Sequence, residues 1–193
     1  MEPTGLGFRS YKPPDDDAIW ELHRWAMRET GVDPDDVPGT DDLRSVRSSY
    51  LDSGGAFVVG VADSSPEEDA GAAAPADWAG ETAGEALTTH DGVVVAMGGF
   101  LPNGEGHADE RDRPGAAELH RMRVAPPCQR RGIGRALIGE LERRAAAAEF
   151  ESLLATTSTR QSAATSFYPD NGYEEVGRST AGAYELVHYE KRL

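Results

Sequence analysis

The stretch that decides the fold reads ELHRMRVAPPCQRRGIG and occupies residues 118–134. Its first residues predict a strand from Ala117 to Val124. Apolar residues then recur at helical spacing and predict an amphipathic helix from Gly132 to Glu149. A strand, a short loop and a helix N-terminus form a cradle for an anion, because the first turn of a helix has unpaired N–H groups and carries about half a positive charge.

The loop of this stretch is rich in glycine and arginine, which suits a phosphate. Gly132 and Gly134 allow a bulky group to approach the backbone closely. Positive charge comes from Arg130, Arg131 and Arg135. The loop lacks the Lys and the Ser or Thr of the GxxxxGK(S/T) motif, and it is not the dinucleotide motif GxGxxG. We expect a phosphorylated ligand of another kind; the alternative is a tight turn that needs small residues.

Strands and helices alternate along the rest of the chain. Further strands are predicted at residues 7–12, 56–62, 92–101, 152–157, 173–176 and 184–189, and further helices at residues 17–30, 41–54 and 161–168. Residues 63–90 lack apolar periodicity, so we interpret them as a flexible acidic insertion at the surface, with Trp78 as its anchor. A functional lid is the alternative. The chain is expected to form a single domain over residues 1–193.

The charge of the chain excludes some partners. Of the 193 residues, 34 are Asp or Glu and 19 are Lys or Arg, so the formal net charge is −15. Nucleic-acid binding is not expected, since phosphate contacts need a basic face. The acids are spread along the chain, and this acidic, lysine-poor composition resembles that of proteins from extreme halophiles. Long-range steering of cationic substrates is the alternative.

Cysteine content and hydropathy indicate the compartment. The single cysteine, Cys128, excludes an intrachain disulfide framework and a cysteine-rich zinc site. No apolar run reaches the length of a membrane span, and the first residues lack a signal-peptide core. We expect a cytoplasmic protein without a membrane partner, and a homodimer stays open.

Three motifs resemble the GNAT superfamily of N-acetyltransferases. Residues 129–134, Gln-Arg-Arg-Gly-Ile-Gly, match the family signature (Arg/Gln)-x-x-Gly-x-(Gly/Ala). Residues 118–126 resemble its fourth strand, and residues 161–173 are similar to its fourth helix and following turn. The resemblance implies an α/β (α+β) fold with a mixed, splayed central sheet of about six to seven strands and about four helices. It also implies acetyl-CoA as acyl donor, in the cleft between the fourth and fifth strands of the family fold.

The resemblance assigns residues to acetyl-CoA. The backbone of Met122, Arg123 and Val124 would hold the acetyl-pantetheine arm. The pyrophosphate would lie on the amides of the loop and helix start, namely Gln129, Arg130, Arg131, Gly132, Ile133, Gly134 and Arg135. Gln161 stands where the family usually has Asn beside the cofactor. Because of this departure, the family's hydrogen bond from Asn to CoA is not carried over to Gln161.

The implied reaction is direct attack of a primary amine on the thioester. An alkylammonium has a pKa near 10.4, so forming the neutral amine at pH 7 costs about 4 kcal/mol and a general base helps. Glu118 is the leading candidate, and the alternative for it is an ion pair with an Arg across the sheet. His120 is the second candidate, because it shares the face of Glu118 in a regular strand. A bulge, which is frequent in this strand of the family, would change that parity.

The resemblance supplies the remaining roles. The backbone N–H of Met122 would stabilise the oxyanion. Tyr168 would protonate the leaving thiolate, with core packing as its alternative. An acetyl-cysteine route through Cys128 is also conceivable, but a bystander thiol is the preferred interpretation.

Other features of the sequence leave the acceptor unnamed. The other histidines, His23, His90, His107 and His188, have no metal-ligand spacing, so no metal is expected. The acceptor that the resemblance implies is a small-molecule or peptide amine. A non-catalytic acyl-CoA-binding regulatory module on the same fold, or an enzyme with a longer acyl donor, are the rival interpretations.

Overall fold

The computed structural model describes residues 5–29, 39–62, 86–104 and 112–193. Within these residues the strands are β1 (Leu6–Ser10), β2 (Ala56–Ala62), β3 (Thr88–Thr89), β4 (Gly92–Pro102), β5 (Ala116–Val124), β6 (Ser152–Ser158), β7 (Glu174–Ala181) and β8 (Tyr184–Arg192). The α-helices are α1 (Asp16–Glu29), α2 (Ile133–Ala147) and α3 (Ser162–Asp170). Short helical turns cover Pro13–Asp15, Thr40–Arg44, Arg47–Leu51 and Pro126–Cys128.

The strands form one mixed sheet. Their order is β1-β2-β4-β5-β6-β8-β7, and β3 pairs with β4 beside this path. Neighbouring strands are antiparallel except β5 and β6, which are parallel. The expected α/β fold with a mixed sheet around the 118–134 stretch is confirmed.

The central strand β4 is covered on both faces of the sheet. Its uninterrupted apolar sequence is typical of such a strand, and residues 92–101 are buried. Two adjacent glycines allow close packing on opposite faces. A Cβ at Gly98 would lie 2.6 Å from Met122 Sδ and 3.2 Å from Leu141 of α2. A Cβ at Gly99 would lie 2.8 Å from both Phe57 and Tyr50. We call the face that carries Tyr50, opposite α2, the Tyr50 face.

The predicted helix at residues 41–54 takes a different form. A 3-10 turn at Thr40–Arg44 is followed by a π-helical turn at Arg47–Leu51, with Ser45 between them outside helical backbone angles (φ −144°, ψ 43°). The Ser45 hydroxyl donates to Asp41 O at 3.1 Å, which competes with regular helical bonding. The Tyr50 hydroxyl donates to Asp42 Oδ2 at 2.6 Å, so the irregular turns bring two buried polar groups together.

The far end of the sheet is longer than its sequence predicts. The strand expected at residues 173–176 is β7, which extends to Ala181 and forms a hairpin with β8. Its residues are mostly exposed and polar, so apolar alternation gives little signal there.

Most of the predicted insertion lies outside the described residues. Residues 63–85, which include Trp78, lie outside the described residues, whereas residues 86–90 are described. Leu87 is fully buried, and β3 pairs with the start of β4. No helix in the described ranges is long and apolar enough to cross a membrane.

Candidate active site

A cleft opens where the two parallel strands separate. β5 and β6 pair only from Ala116 to Glu118 and from Ser152 to Leu154. Beyond Glu118, β5 continues along β4, while β6 continues along β8. Both strands lead into helices, α2 and α3, whose N-termini therefore follow the diverging strand ends. The result is a V-shaped cleft with Glu118 at its vertex.

A β-bulge determines which side chains of β5 share a face. His120 pairs with Gly99 and Arg123 pairs with Met97, so residues 121 and 122 together oppose Gly98. Arg121 has the positive φ of 55° that accompanies this bulge. Its consequence is that residues 118, 120, 121 and 123 face the Tyr50 side, whereas Met122 contacts the α2 side.

Glu118 is held in a polar environment at the vertex. Glu118 is only 8% exposed. The Thr156 hydroxyl donates to Glu118 Oε1 at 2.9 Å. This hydrogen bond orients the carboxylate at the vertex of the cleft.

His120 lies on the same face as Glu118, as a regular strand predicts. The bulge falls after His120, so it does not alter the relation between these two residues. The imidazole packs edge-on against Tyr50, with 6.3 Å between ring centroids. His120 is thus placed beside the cleft, but Glu118 occupies the vertex.

A buried ion pair supports the bulge. Arg121 Nε donates to both oxygens of Asp42, at 2.9 and 3.1 Å, and both side chains are less than 10% exposed. Tyr50 donates to the same carboxylate. The pair joins the turn before β2 to β5 and fixes the floor of the cleft on the Tyr50 face.

Arg123 adds a second guanidinium group to this floor. Its Nη1 donates to Met122 O at 2.8 Å, while its buried Nε has no hydrogen-bond partner among the described residues. Burial and the positive charge of Arg121 lower the pKa of Arg123 to about 10. The electrostatic environment of the cleft therefore includes two closely spaced guanidinium groups.

Tyr168 contributes from α3 to the same group of side chains. It is 7% exposed and packs against the rings of Phe167, Tyr173 and Tyr189. Burial raises the pKa of Tyr168 to about 12, with Arg123 acting to lower it and Glu118 to raise it. The phenol is therefore protonated over the neutral pH range, as a proton donor must be.

The glycines of the loop serve different purposes. Gly132 has φ 83° with open space around its Cβ position, so backbone conformation requires glycine there. A Cβ at Gly134 would lie 3.3 Å from Phe167 Cε2, so Gly134 permits contact between α2 and α3.

The helix start that follows is suited to an anion. Ala136 N–H donates to Gly132 O at 3.0 Å. The N–H groups of Ile133, Gly134 and Arg135 therefore precede this first helical hydrogen bond and lie at the positive end of α2. This arrangement fits the pyrophosphate of a CoA ester.

The rest of the predicted cofactor set lies around this helix start. Arg130 has a positive φ of 58°, and both Arg130 and Arg131 are exposed. The Gln129 side chain donates to Val124 O at 3.1 Å and ties the loop to the end of β5. Gln161 precedes α3, and its side-chain oxygen accepts a hydrogen bond from Thr157 at 3.3 Å.

Cys128 lies in a turn of the same loop but is closed off. It is 2% exposed, and burial raises the pKa of its thiol to about 11, against a lowering influence of Arg131. A protonated, buried thiol is a poor nucleophile. In the described ranges no group of three or more His, Cys, Asp or Glu could hold a metal ion.

The sequence alone did not indicate three residues of this site: Asp42, Arg121 and Thr156. Asp42 and Arg121 are 79 positions apart, and Thr156 meets Glu118 only because of the parallel strand pair. No local pattern indicates such long-range pairs. Glu118 and His120 share a face of β5, and Tyr168 lies within electrostatic reach of Glu118; the catalytic roles of all three stay predictions.

Comparison with known proteins places the chain in a family. The model of the acetyltransferase (GNAT) family matches residues 46–173. No protein with a curated description matches the sequence.

Solved structures share the fold at low sequence identity. An acetyltransferase from Streptococcus agalactiae is 15% identical, with a TM-score of 0.67 and coverage of 99% of this chain and 100% of that chain. Salmonella typhimurium yncA, solved with acetyl-CoA, is 16% identical, with a TM-score of 0.63 and coverage of 98% and 94%. The ribosomal-protein-S18-alanine N-acetyltransferase from Escherichia coli is 15% identical, with a TM-score of 0.61 and coverage of 97% and 93%.

Proposed function

The chain belongs to the acetyltransferase (GNAT) family, and from this premise we propose that it transfers an acetyl group from acetyl-CoA to a primary amine by direct attack. The observation that carries the proposal is the cleft between β5 and β6, with a buried carboxylate at its vertex and a helix N-terminus beyond it. One wall offers a proton acceptor, Glu118, and α3 offers a proton donor, Tyr168.

Glu118 is the proposed general base. A protonated amine must lose a proton before attack, at a cost of about 4 kcal/mol at pH 7. The hydrogen bond from Thr156 orients the carboxylate that would accept that proton. His120 lies two residues further along the same face and remains the second candidate.

Tyr168 is the proposed general acid. The leaving group is a thiolate, and a thiol has an ordinary pKa near 8.5. With a pKa raised to about 12, the phenol is protonated at neutral pH and can hydrogen-bond to the sulfur as negative charge develops on it. Such a donor assists departure of the thiolate, which is already a tolerable leaving group, so Tyr168 accelerates the reaction without being indispensable.

The backbone along β5 and the start of α2 are the proposed acetyl-CoA site. The bulge removes residues 121 and 122 from the regular ladder, which supports the Met122 N–H as donor to the developing oxyanion. Met122, Arg123 and Val124 would border the pantetheine arm, and residues 129–135 would hold the pyrophosphate. Gln161 would lie beside the cofactor.

We propose that the protein works in a salt-rich cytoplasm. A net charge of −15 causes repulsion within the folded chain, and also between the chain and an anionic acyl donor. At about 1 M salt the Debye length is near 3 Å, so this repulsion is quenched. The free energy of unfolding and the affinity for acetyl-CoA should both increase between 0.1 M and 2 M KCl, and unchanged values would contradict the proposal.

The test of the function is free-thiol release from acetyl-CoA at high KCl with a panel of small and peptide amines. We expect release with one class of amine, and an acetylated product of matching mass. Tight binding of acetyl-CoA without release for any amine would favour a regulatory module. Faster release from a longer acyl-CoA would identify a different acyl donor.

The covalent route has its own test. Cys128→Ala should retain near-normal turnover, because the buried, protonated thiol takes no part in direct attack. Loss of nearly all thiol release in a folded Cys128→Ala protein would instead support an acetyl-cysteine intermediate.

A further inference from the structure

A row of hydrogen-bonded side chains crosses the sheet from the cleft to its edge strand. Thr156 Oγ1 lies 2.9 Å from Glu118 Oε1 and 3.1 Å from His188 Nδ1. His188 Nε2 lies 2.9 Å from Ser179 Oγ. These four residues lie on β5, β6, β8 and β7, which are consecutive in the sheet.

The strand register explains why these side chains meet. Thr156 and His188 are direct partners in the β6–β8 pair, so their side chains share a face. Glu118 is paired with Leu154, two residues before Thr156 on the parallel neighbour. His188 is 4% exposed, whereas Ser179 is half-buried on the edge strand.

The chemistry of the groups fixes the direction of the hydrogen bonds. An ionised carboxylate only accepts, so the single hydroxyl hydrogen of Thr156 is donated to Glu118. The contact between His188 Nδ1 and Thr156 Oγ1 must then be made by an Nδ1–H group. In the neutral imidazole, Nε2 is left as acceptor for the Ser179 hydroxyl.

We infer that Thr156 and His188 are positioning residues that orient Glu118 as the general base. His188 fixes the hydroxyl of Thr156, and Thr156 in turn fixes Oε1 of Glu118, so that the carboxylate is oriented to receive the proton of the acceptor amine. The inference rests on the proposed role of Glu118 in acetyl transfer.

The kinetic test compares single and double variants. Thr156→Val should lower kcat about 10-fold, corresponding to one hydrogen bond to a charged group, while the Kd of acetyl-CoA changes less than about 3-fold. Thr156→Ser keeps the hydroxyl and should restore most of the rate. Thr180→Val makes the same change at an exposed position of β7 and should leave kcat unchanged.

The double variant decides whether Thr156 acts through Glu118. In a Glu118→Gln background, Thr156→Val should cause no further loss, because the carboxylate that it positions is gone. Equal losses in both backgrounds, or normal kcat in Thr156→Val, would overturn the inference. A Glu118→Gln protein with normal kcat would instead overturn the proposed base, so the two failures are distinguishable.

A second measurement needs no variant of Thr156. Nitrogen-15 NMR of the unaltered protein, with His188→Gln used to assign the signal, should find His188 Nδ1 protonated. An unprotonated Nδ1 would contradict the deduced direction of the hydrogen bonds and overturn the inference even if a Thr156 variant failed to fold.

Discussion

Tyr168 combines packing and chemistry in one side chain. Its ring contacts three other aromatic rings, so core burial alone would account for its type. Its position within electrostatic reach of Glu118 and Arg123 adds the proposed role of acid. The two roles separate in a variant that keeps the ring and removes the hydroxyl.

Tyr168→Phe should therefore lower kcat by about 10-fold or more, within the range that general acid catalysis contributes. The ring contacts are retained, so the thermal midpoint should change by less than about 3 °C. Steady-state kinetics and a thermal melt provide the measurements. Unchanged kcat would restrict Tyr168 to a packing role.

At the scale of elements, the bulge in β5 separates what sequence could predict from what it could not. The strand–loop–helix order and Glu118 could be predicted, because they follow from local periodicity and a motif. The side of the sheet on which Arg121 and Arg123 lie could not be predicted. One extra residue in β5 reverses the regular alternation of side chains that a strand sequence suggests. The regular helix predicted at residues 41–54 was also wrong, because the helical backbone breaks at Ser45, and the resulting turns bring Asp42 and Tyr50 together.

The ion pair beneath the bulge should be important for stability. Asp42→Ala would leave Arg121 buried without its carboxylate, at a cost of about 3–5 kcal/mol in the free energy of unfolding. The matched control is Glu175→Ala, which removes an exposed partner of Arg178 and should leave the free energy of unfolding nearly unchanged. Urea unfolding measures both, and equal losses would contradict the structural role of the buried pair.

Two glycines of the 118–147 region should respond oppositely to the same substitution. Gly132→Ala places a Cβ at φ 83° and should destabilise by about 1 kcal/mol and weaken acetyl-CoA binding. Gly139→Ala lies inside α2 with open space at its Cβ and should stabilise by about 0.5–1 kcal/mol. Urea unfolding and acetyl-CoA titration check the pair. Stabilisation by Gly132→Ala would contradict the assigned backbone geometry.

At the scale of the whole molecule, one parallel pair in an otherwise antiparallel sheet creates the cleft. The strand order β5-β6-β8-β7 could not be derived from element order alone, since β8 inserts between β6 and β7. Family resemblance supplied the splayed sheet, whereas periodicity supplied the elements. The charge of −15 is a property of the complete chain and says nothing about the fold.

Buried tyrosines should make the folded protein sensitive to alkali. Burial is the main cause that raises the pKa of Tyr11, Tyr50, Tyr168, Tyr173 and Tyr189. Above about pH 10 the unfolded chain releases protons that the folded chain retains, so stability falls as pH rises. Arg123, with its lowered pKa, acts in the opposite direction but is one group against five.

For Tyr168 alone, the rise to about 12 corresponds to a loss of about 2–3 kcal/mol between pH 10 and pH 12. Urea unfolding at pH 8, 9, 10 and 11 measures the trend, and Tyr168→Phe should show a shallower fall. Stability that holds or increases from pH 9 to pH 11 would contradict this account of burial.

The central claim is that a buried carboxylate at the vertex of the cleft accepts the proton of the amine. The most direct measurement is kcat for thiol release by Glu118→Gln beside the unaltered protein, with the Kd of acetyl-CoA as control. We predict a fall in kcat of about 100-fold with Kd unchanged within about 3-fold. Equal kcat in the two folded proteins would contradict the claim and turn attention to His120.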